Sequence, residues 1–223
     1  MERILENLWQ VAGEGITDPT DAAIYLVRFG DTAALVDAGT GVAHRQVHTS
    51  ISTCLPDTVQ LDYLFLTHCH YDHTGGAAAV RDAFGCRIVL HEREADFLEE
   101  GDSVVTAANW YGAAMAPVSV DIRIRGEGGR FTVGSGEITA YHCPGHSPGS
   151  VVYLSEIDGK RVLFGQDVHG PLHPSLLSDR NAYLRSLRKL LDMEADILCE
   201  GHYGIFRGKN AVRRFIGSFL QGT

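Results

Sequence analysis

Apolar positions along the 223-residue chain fall into short runs rather than long stripes. IYLVRF at residues 24–29 and AALVD at 33–37 are rich in strand-forming side chains. They flank Gly30-Asp31, a pair expected at a hairpin turn. Residues 42–55 carry helical spacing and stop at Pro56. LDYLFL at 61–66 has the pattern of a short buried strand, 76–84 reads as helix, CRIVLH at 86–91 as strand and 92–112 as helix. Strand character returns at 131–133, 137–142, 151–154 and 161–164. An amphipathic helix is predicted over 179–193 with Asp179 as its N-cap, then a short strand at 197–200 and a closing helix at 209–220. No repeat, low-complexity tract or Pro/Ser-rich linker divides the chain, so residues 1–223 are taken as a single domain. Two groups of strands with helices interspersed fit a mixed α and β class, with two sheets face to face and helices outside.

The run at 61–66 leads directly into THCHYDHTGG, residues 67–76. On an extended backbone His68 and His70 point to the same face, while Cys69 and Tyr71 point away, so Cys69 is not expected to be a ligand. Asp72 and His73 follow as the chain turns, and Gly75-Gly76 lets the backbone leave close to whatever those side chains hold. Neutral imidazoles and carboxylate oxygens suit borderline divalent ions such as zinc, iron or manganese.

H-x-H-x-D-H after an apolar strand resembles the signature of the metallo-β-lactamase superfamily. Further pieces occur in that family's order: PGHSPG at 144–149, VLFGQD at 162–167, LCEGH at 198–202 and, early in the chain, LVDAG at 35–39. The resemblance implies a four-layer αββα sandwich of two mixed sheets flanked by helices, an α/β (α+β) fold. It also implies two divalent metal ions, zinc first, with iron or manganese as alternatives. One ion would take His68, His70 and His146, the other Asp72, His73 and His202, and Asp167 would bridge them. Asp72 and Asp167 are then the carboxylates at the reaction centre, though a metal-bound Asp72 is a poor proton donor at pH 7. A hydroxide held by the two metals would attack a carbonyl. Asp37 is read as the acceptor for a ligand histidine's N–H, with a plain turn residue as the alternative.

Other positions carry weaker expectations. His142 reads as a packed strand residue; His44, His48 and His91 as surface or helix histidines; Trp110 and Tyr111 as ordinary core contacts, with the substrate-facing helix that the resemblance implies as the alternative. His169 and His173 stay unassigned, and residues 14–21 are either a flap or a connecting loop.

Composition narrows the activity. The formal charge of −9 argues against nucleic-acid binding, no segment approaches the ~20 apolar residues of a membrane span, and the N-terminus lacks a signal-peptide core. Five scattered cysteines read as reduced thiols in a cytoplasmic protein, and the oligomeric state is open, a homodimer included. Asp167 stands where true zinc β-lactamases of the family usually carry Ser or Cys, so β-lactam hydrolysis is expected only as a weak side activity. Glyoxalase II adds a helical glutathione-binding domain, whereas about twenty residues follow His202 here, so specific glutathione thioester chemistry is not expected. The expected activity is hydrolysis of a small ester, thioester or lactone. A persulfide dioxygenase with one iron on His68, His146 and Asp167 is the alternative, because such enzymes keep the other histidines.

Overall fold

The structure is a computed structural model that describes residues 1–165 and 167–220. Gln166, inside the VLFGQD run, lies outside the described residues. The strands divide between two sheets in chain order. The first sheet has the order β1 (Glu2–Leu5), β2 (Leu8–Ala12), β3 (Ile24–Phe29), β4 (Thr32–Val36), β5 (Gln60–Phe65), β6 (Arg87–His91), β7 (Ile122–Ile124). Its first four strands pair antiparallel and the rest parallel, since helices α1 (His44–Cys54), α3 (Ala77–Phe84) and α4 (Glu92–Glu100) supply the crossovers. A single turn, α2 (Tyr71–Thr74), follows β5.

The second sheet runs β13 (Ile205–Arg207), β12 (Ile197–Cys199), β11 (Lys160–Phe164), β10 (Val151–Ile157), β9 (Gly136–His142), β8 (Gly128–Val133). Only β11 and β12 pair parallel, joined through α5 (Arg180–Asp192); α6 (Lys209–Ser218) closes the chain. Both sheets are therefore mixed.

Three apolar clusters build four layers. Leu26, Leu35, Leu64 and Leu90 meet Val47, Ile51 and Val80 of the helices outside the first sheet. Phe65, Tyr153 and Phe164 centre the layer between the sheets. Leu163 and Leu198 meet Leu187, Leu190 and Ile216 outside the second sheet. This is the expected αββα sandwich. Full burial of a side chain such as Phe65 stabilises by about 1.5–3 kcal/mol.

Two buried tyrosines stitch the sheets at one end. The Tyr153 hydroxyl donates to Leu66 O and the Tyr25 hydroxyl to Glu200 O, each at 2.7 Å. Backbone bonds from Val151 N to Thr67 O and from Ala23 N to Gly201 O, both 2.8 Å, reinforce the seam. The loops that leave this end carry the histidines.

Several expectations need correcting. The helix predicted over 92–112 ends at Glu100, because Gly101 turns left-handed (φ 71°) and Asp102 accepts from Val104 N and Val105 N instead. Only a short 3₁₀ turn, Ala108–Tyr111, follows. The β1–β2 hairpin and β13 were not anticipated. Residues 14–21 end as an anchored loop: Asp21 accepts from the Thr40 N–H and hydroxyl, at 2.8 and 2.6 Å. Among the described residues no helix is long and apolar enough to cross a membrane.

Candidate active site

The strand β5 ends at Phe65, and a bend over Thr67–Cys69 leads to extended His70 and the α2 turn. The turn swings Asp72 and His73 inward. Gly75 and Gly76 are needed for close approach: a Cβ on either would overlap a carbonyl oxygen of the chain segment 38–40. His146 comes from the loop between β9 and β10, Asp167 from the end of β11, and His202 from the end of β12. Six of the seven predicted positions are buried, and His202 is the most accessible, with 29% of its side chain exposed.

These seven side chains form two adjoining groups: His68, His70, His146 and Asp167, then Asp72, His73 and His202. Within the first, His146 Nε2 lies 3.3 Å from His68 Nε2 and 2.9 Å from His70 Nδ1. In the second, His202 Nε2 lies 3.2 Å from Asp72 Oδ2. Asp167 reaches both, with Oδ2 3.4 Å from His146 Nε2 and Oδ1 3.1 Å from His73 Nε2 and 3.4 Å from His202 Nε2. No cysteine belongs to either group, and Cys69 is buried facing away.

Hydrogen bonds on the outer side fix which ring nitrogens face inward. Pro171 O can only accept, so His146 Nδ1, 2.8 Å away, donates to it and leaves an Nε2 lone pair inside. Asp37 accepts from the Thr67 N–H at 2.8 Å and from its hydroxyl. With its one proton committed, the Thr67 oxygen accepts from His68 Nδ1 at 3.0 Å, which turns the His68 Nε2 lone pair inward. Asp37 Oδ2 is also 2.8 Å from His73 Nδ1. One carboxylate therefore orients a histidine of each group, one directly and one through Thr67. The inward lone pairs of His68 and His146 repel one another, and buried His70 Nε2, His73 Nε2 and Asp167 Oδ1 make no hydrogen bond. A divalent cation relieves both conditions, so the residues fit the metals that the fold family implies.

Electrostatics divide the site. Burial pushes the imidazoles of His68, His70 and His146 down, His70 to about 3, so they are neutral donors. Burial opposes charge on His202 too, but Asp167 and Asp72 outweigh it and carry His202 up to about 10. Burial likewise fails to neutralise Asp167, which His73 and His202 hold well below the usual carboxylate range.

The cleft above the groups has a volume of about 230 Å³ and is lined in part by Ala107, Trp110, Tyr111, His169, Pro171 and Leu176. Trp110 and Tyr111, expected in the core, are exposed on its wall. Gly101 and the 3₁₀ turn direct them outward. Burial and the charge of nearby Asp72 push the Tyr111 phenol up, so it keeps its proton at neutral pH. His169 lines the cleft with Nδ1 2.9 Å from Glu200. His173 lies exposed beside Trp110.

Glu94 and His91 were missed by sequence reasoning. Glu94, fully buried, accepts from Cys69 N at 2.6 Å, Gly149 N at 2.8 Å and the Ser147 hydroxyl. It thereby joins the loop of His68 and His70 to that of His146. His91, expected at the surface, is buried and stacked 4.1 Å from His142, which is packed on its strand as expected. His44 and His48 are exposed on α1.

A model of the metallo-β-lactamase superfamily matches residues 17–202. The chain belongs to that superfamily. Among solved structures, BLEG-1 B3 metallo-β-lactamase superposes with a TM-score of 0.79 at 25% identity, over 96% of this chain and 100% of that one. A Cronobacter sakazakii metallo-β-lactamase with the HARLDQ motif also gives 0.79, at 20% identity over 97% of this chain and 89% of that one, which establishes the fold alone. Acyl-coenzyme A thioesterase MBLAC2 of Bos taurus is 26% identical over 220 residues, 86% of this chain and 76% of that protein. Hydroxyacylglutathione hydrolase of Anaeromyxobacter dehalogenans is 33% identical over 145 residues, 65% of this chain and 45% of that protein. These superfamily relatives are hydrolases, one of them a thioesterase and one a hydroxyacylglutathione hydrolase by name.

Proposed function

We propose that the protein is a metal-dependent hydrolase of small esters, thioesters or lactones, with two divalent ions at one centre. The observation that carries this reading is the pair of adjoining donor groups sharing Asp167. Seven buried or half-buried donors exceed what one four-coordinate ion can use. His68, His70 and His146 would hold one ion and Asp72, His73 and His202 the other, with Asp167 between them; zinc suits this set best, and iron or manganese also fit. When bound, such ions supply a nucleophile from water at neutral pH and polarise a carbonyl.

The chain's own residues do the rest. Asp37 and Pro171 O take the outer ring N–H of His73 and His146 and so aim the other ring nitrogens inward. Asp167 offsets the repulsion between two nearby cations. Tyr111, protonated at the cleft wall beside Asp72, offers a hydrogen bond to a substrate oxygen. An amine leaving group needs a proton as it departs, whereas a thiolate or activated alkoxide needs less help. Thioesters, esters and lactones are therefore favoured over β-lactams, although the solved structures reported above are β-lactamases by description. The test is kcat/KM across a thioester, an ester, a lactone and a cephalosporin under one metal loading. A cephalosporin as best substrate would overturn the proposal.

A further inference from the structure

Seven large apolar or aromatic side chains are exposed among the described residues; Trp110 and Tyr111 line the candidate cleft, and Val104, Leu177 and Tyr203 lie within three positions of residues that line it. Val104, Trp110 and Tyr111 lie on the segment that also supplies lining Ala107. Leu177 follows lining Leu176, and Tyr203 follows lining His202. Exposed apolar side chains grouped at the mouth of a cleft mark a binding site.

This rim is built rather than loose. The Trp110 ring meets His173 edge-on at 5.3 Å, Tyr111 lies 5.6 Å from Tyr71, and Tyr203 lies 4.8 Å from His169. Ala107 and Leu177, neither of them glycine, hold left-handed backbones (φ 58° and 56°) at the two loops that present the rim. Left-handed non-glycine residues are uncommon and persist where surrounding structure enforces them.

Charge is the complementary observation. Among the described residues no lysine or arginine lines the cleft, and the chain as a whole carries a formal charge of −9. A leaving group bearing phosphates or several carboxylates would meet no side-chain guanidinium or ammonium there. At about 230 Å³ the cleft is also smaller than pockets that enclose a drug-sized ligand, so part of the substrate must lie on the rim.

We propose that the rim is a subsite for the alkyl chain of the substrate. The preferred substrates are then esters, thioesters or lactones with an apolar acyl chain and an uncharged leaving group. The proposal rests on the hydrolase reading for its chemistry and on the rim for its selectivity. Burying a methylene is worth up to about fourfold in kcat/KM.

The test uses the metal-loaded full-length protein and p-nitrophenyl esters from acetyl to octanoyl. The expected result is a rise in kcat/KM of at least about 30-fold along the series, carried mainly by KM. Trp110→Ala should shrink the octanoyl-to-acetyl ratio about tenfold. A second readout needs no turnover. The chain has two tryptophans, and Trp9 is buried, so in a Trp9→Phe variant Trp110 reports alone. Octan-1-ol should shift its emission to the blue saturably, and butan-1-ol far less. A flat or falling chain-length profile in a protein that hydrolyses the acetyl ester would overturn the subsite. So would Trp110 emission indifferent to octan-1-ol, or sedimentation showing that a second copy of the chain covers Trp110. If no ester is hydrolysed while octan-1-ol still shifts the emission, the subsite stands and the hydrolase reading falls.

Discussion

Asp37 Oδ2 lies 2.8 Å from His73 Nδ1, and the same carboxylate takes the Thr67 hydroxyl proton that would otherwise compete for His68. Asp37 sits at the end of β4 with φ 62°, a left-handed position at which Asp is tolerated better than most residues. One side chain thus sets the inward lone pairs of both donor groups. Asp37→Ala should lower metal affinity about 10–100-fold, measured by competition with a buffered chelator. Asp167→Ala, which removes the only carboxylate shared by the groups, should lose more affinity and turnover by orders of magnitude. Near-native activity and full loading of Asp167→Ala would show the ligand assignment to be wrong.

Glu94 concerns the loops rather than the ions. Its carboxylate has no cationic partner in its hydrogen-bond set; burial pushes its pKa up, and three donors from two loops oppose that. Glu94→Gln keeps the volume but points an amide donor at a backbone N–H. Each charge-assisted bond lost is worth about 1.5–3 kcal/mol, so the melting temperature should fall by several degrees. Affinity at the His68, His70 and His146 group should drop more than at the other. Unchanged thermal stability and affinity in the variant would remove Glu94 from this role.

The strands from β3 to β6 and from β9 to β12 were legible because strand-length apolar runs ended in turn residues. The donor residues were legible because H-x-H-x-D-H packs four of them into one turn. Glu94 was not, because one acidic residue on an amphipathic helix looks like any solvated one until a partner loop 53 residues away covers it. His91 was hidden likewise, as its burial depends on His142 from the other sheet. Trp110 and Tyr111 were misread as core because their outward direction is set by Gly101 and by left-handed Ala107, not by periodicity.

Acid should weaken the fold through His142. Burial holds its imidazole below the ordinary value, and His142 Nε2 donates to Pro148 O at 3.0 Å. The folded state favours the neutral ring, so the unfolded chain binds the extra proton below about pH 6.5. This contribution is present above that pH and is lost as pH falls through it, at no more than about 1.4 kcal/mol per pH unit. Urea midpoints between pH 7.5 and 5 should decline, and His142→Gln should decline less steeply. Parallel slopes would place the acid sensitivity elsewhere.

The two-ion centre is tested most directly by elemental analysis of protein purified without chelator, repeated after loading with zinc, iron or manganese. Seven donors in two groups sharing Asp167 predict two transition-metal ions per chain. One iron per chain, with no second metal taken up after loading, would contradict it and favour a mononuclear dioxygenase.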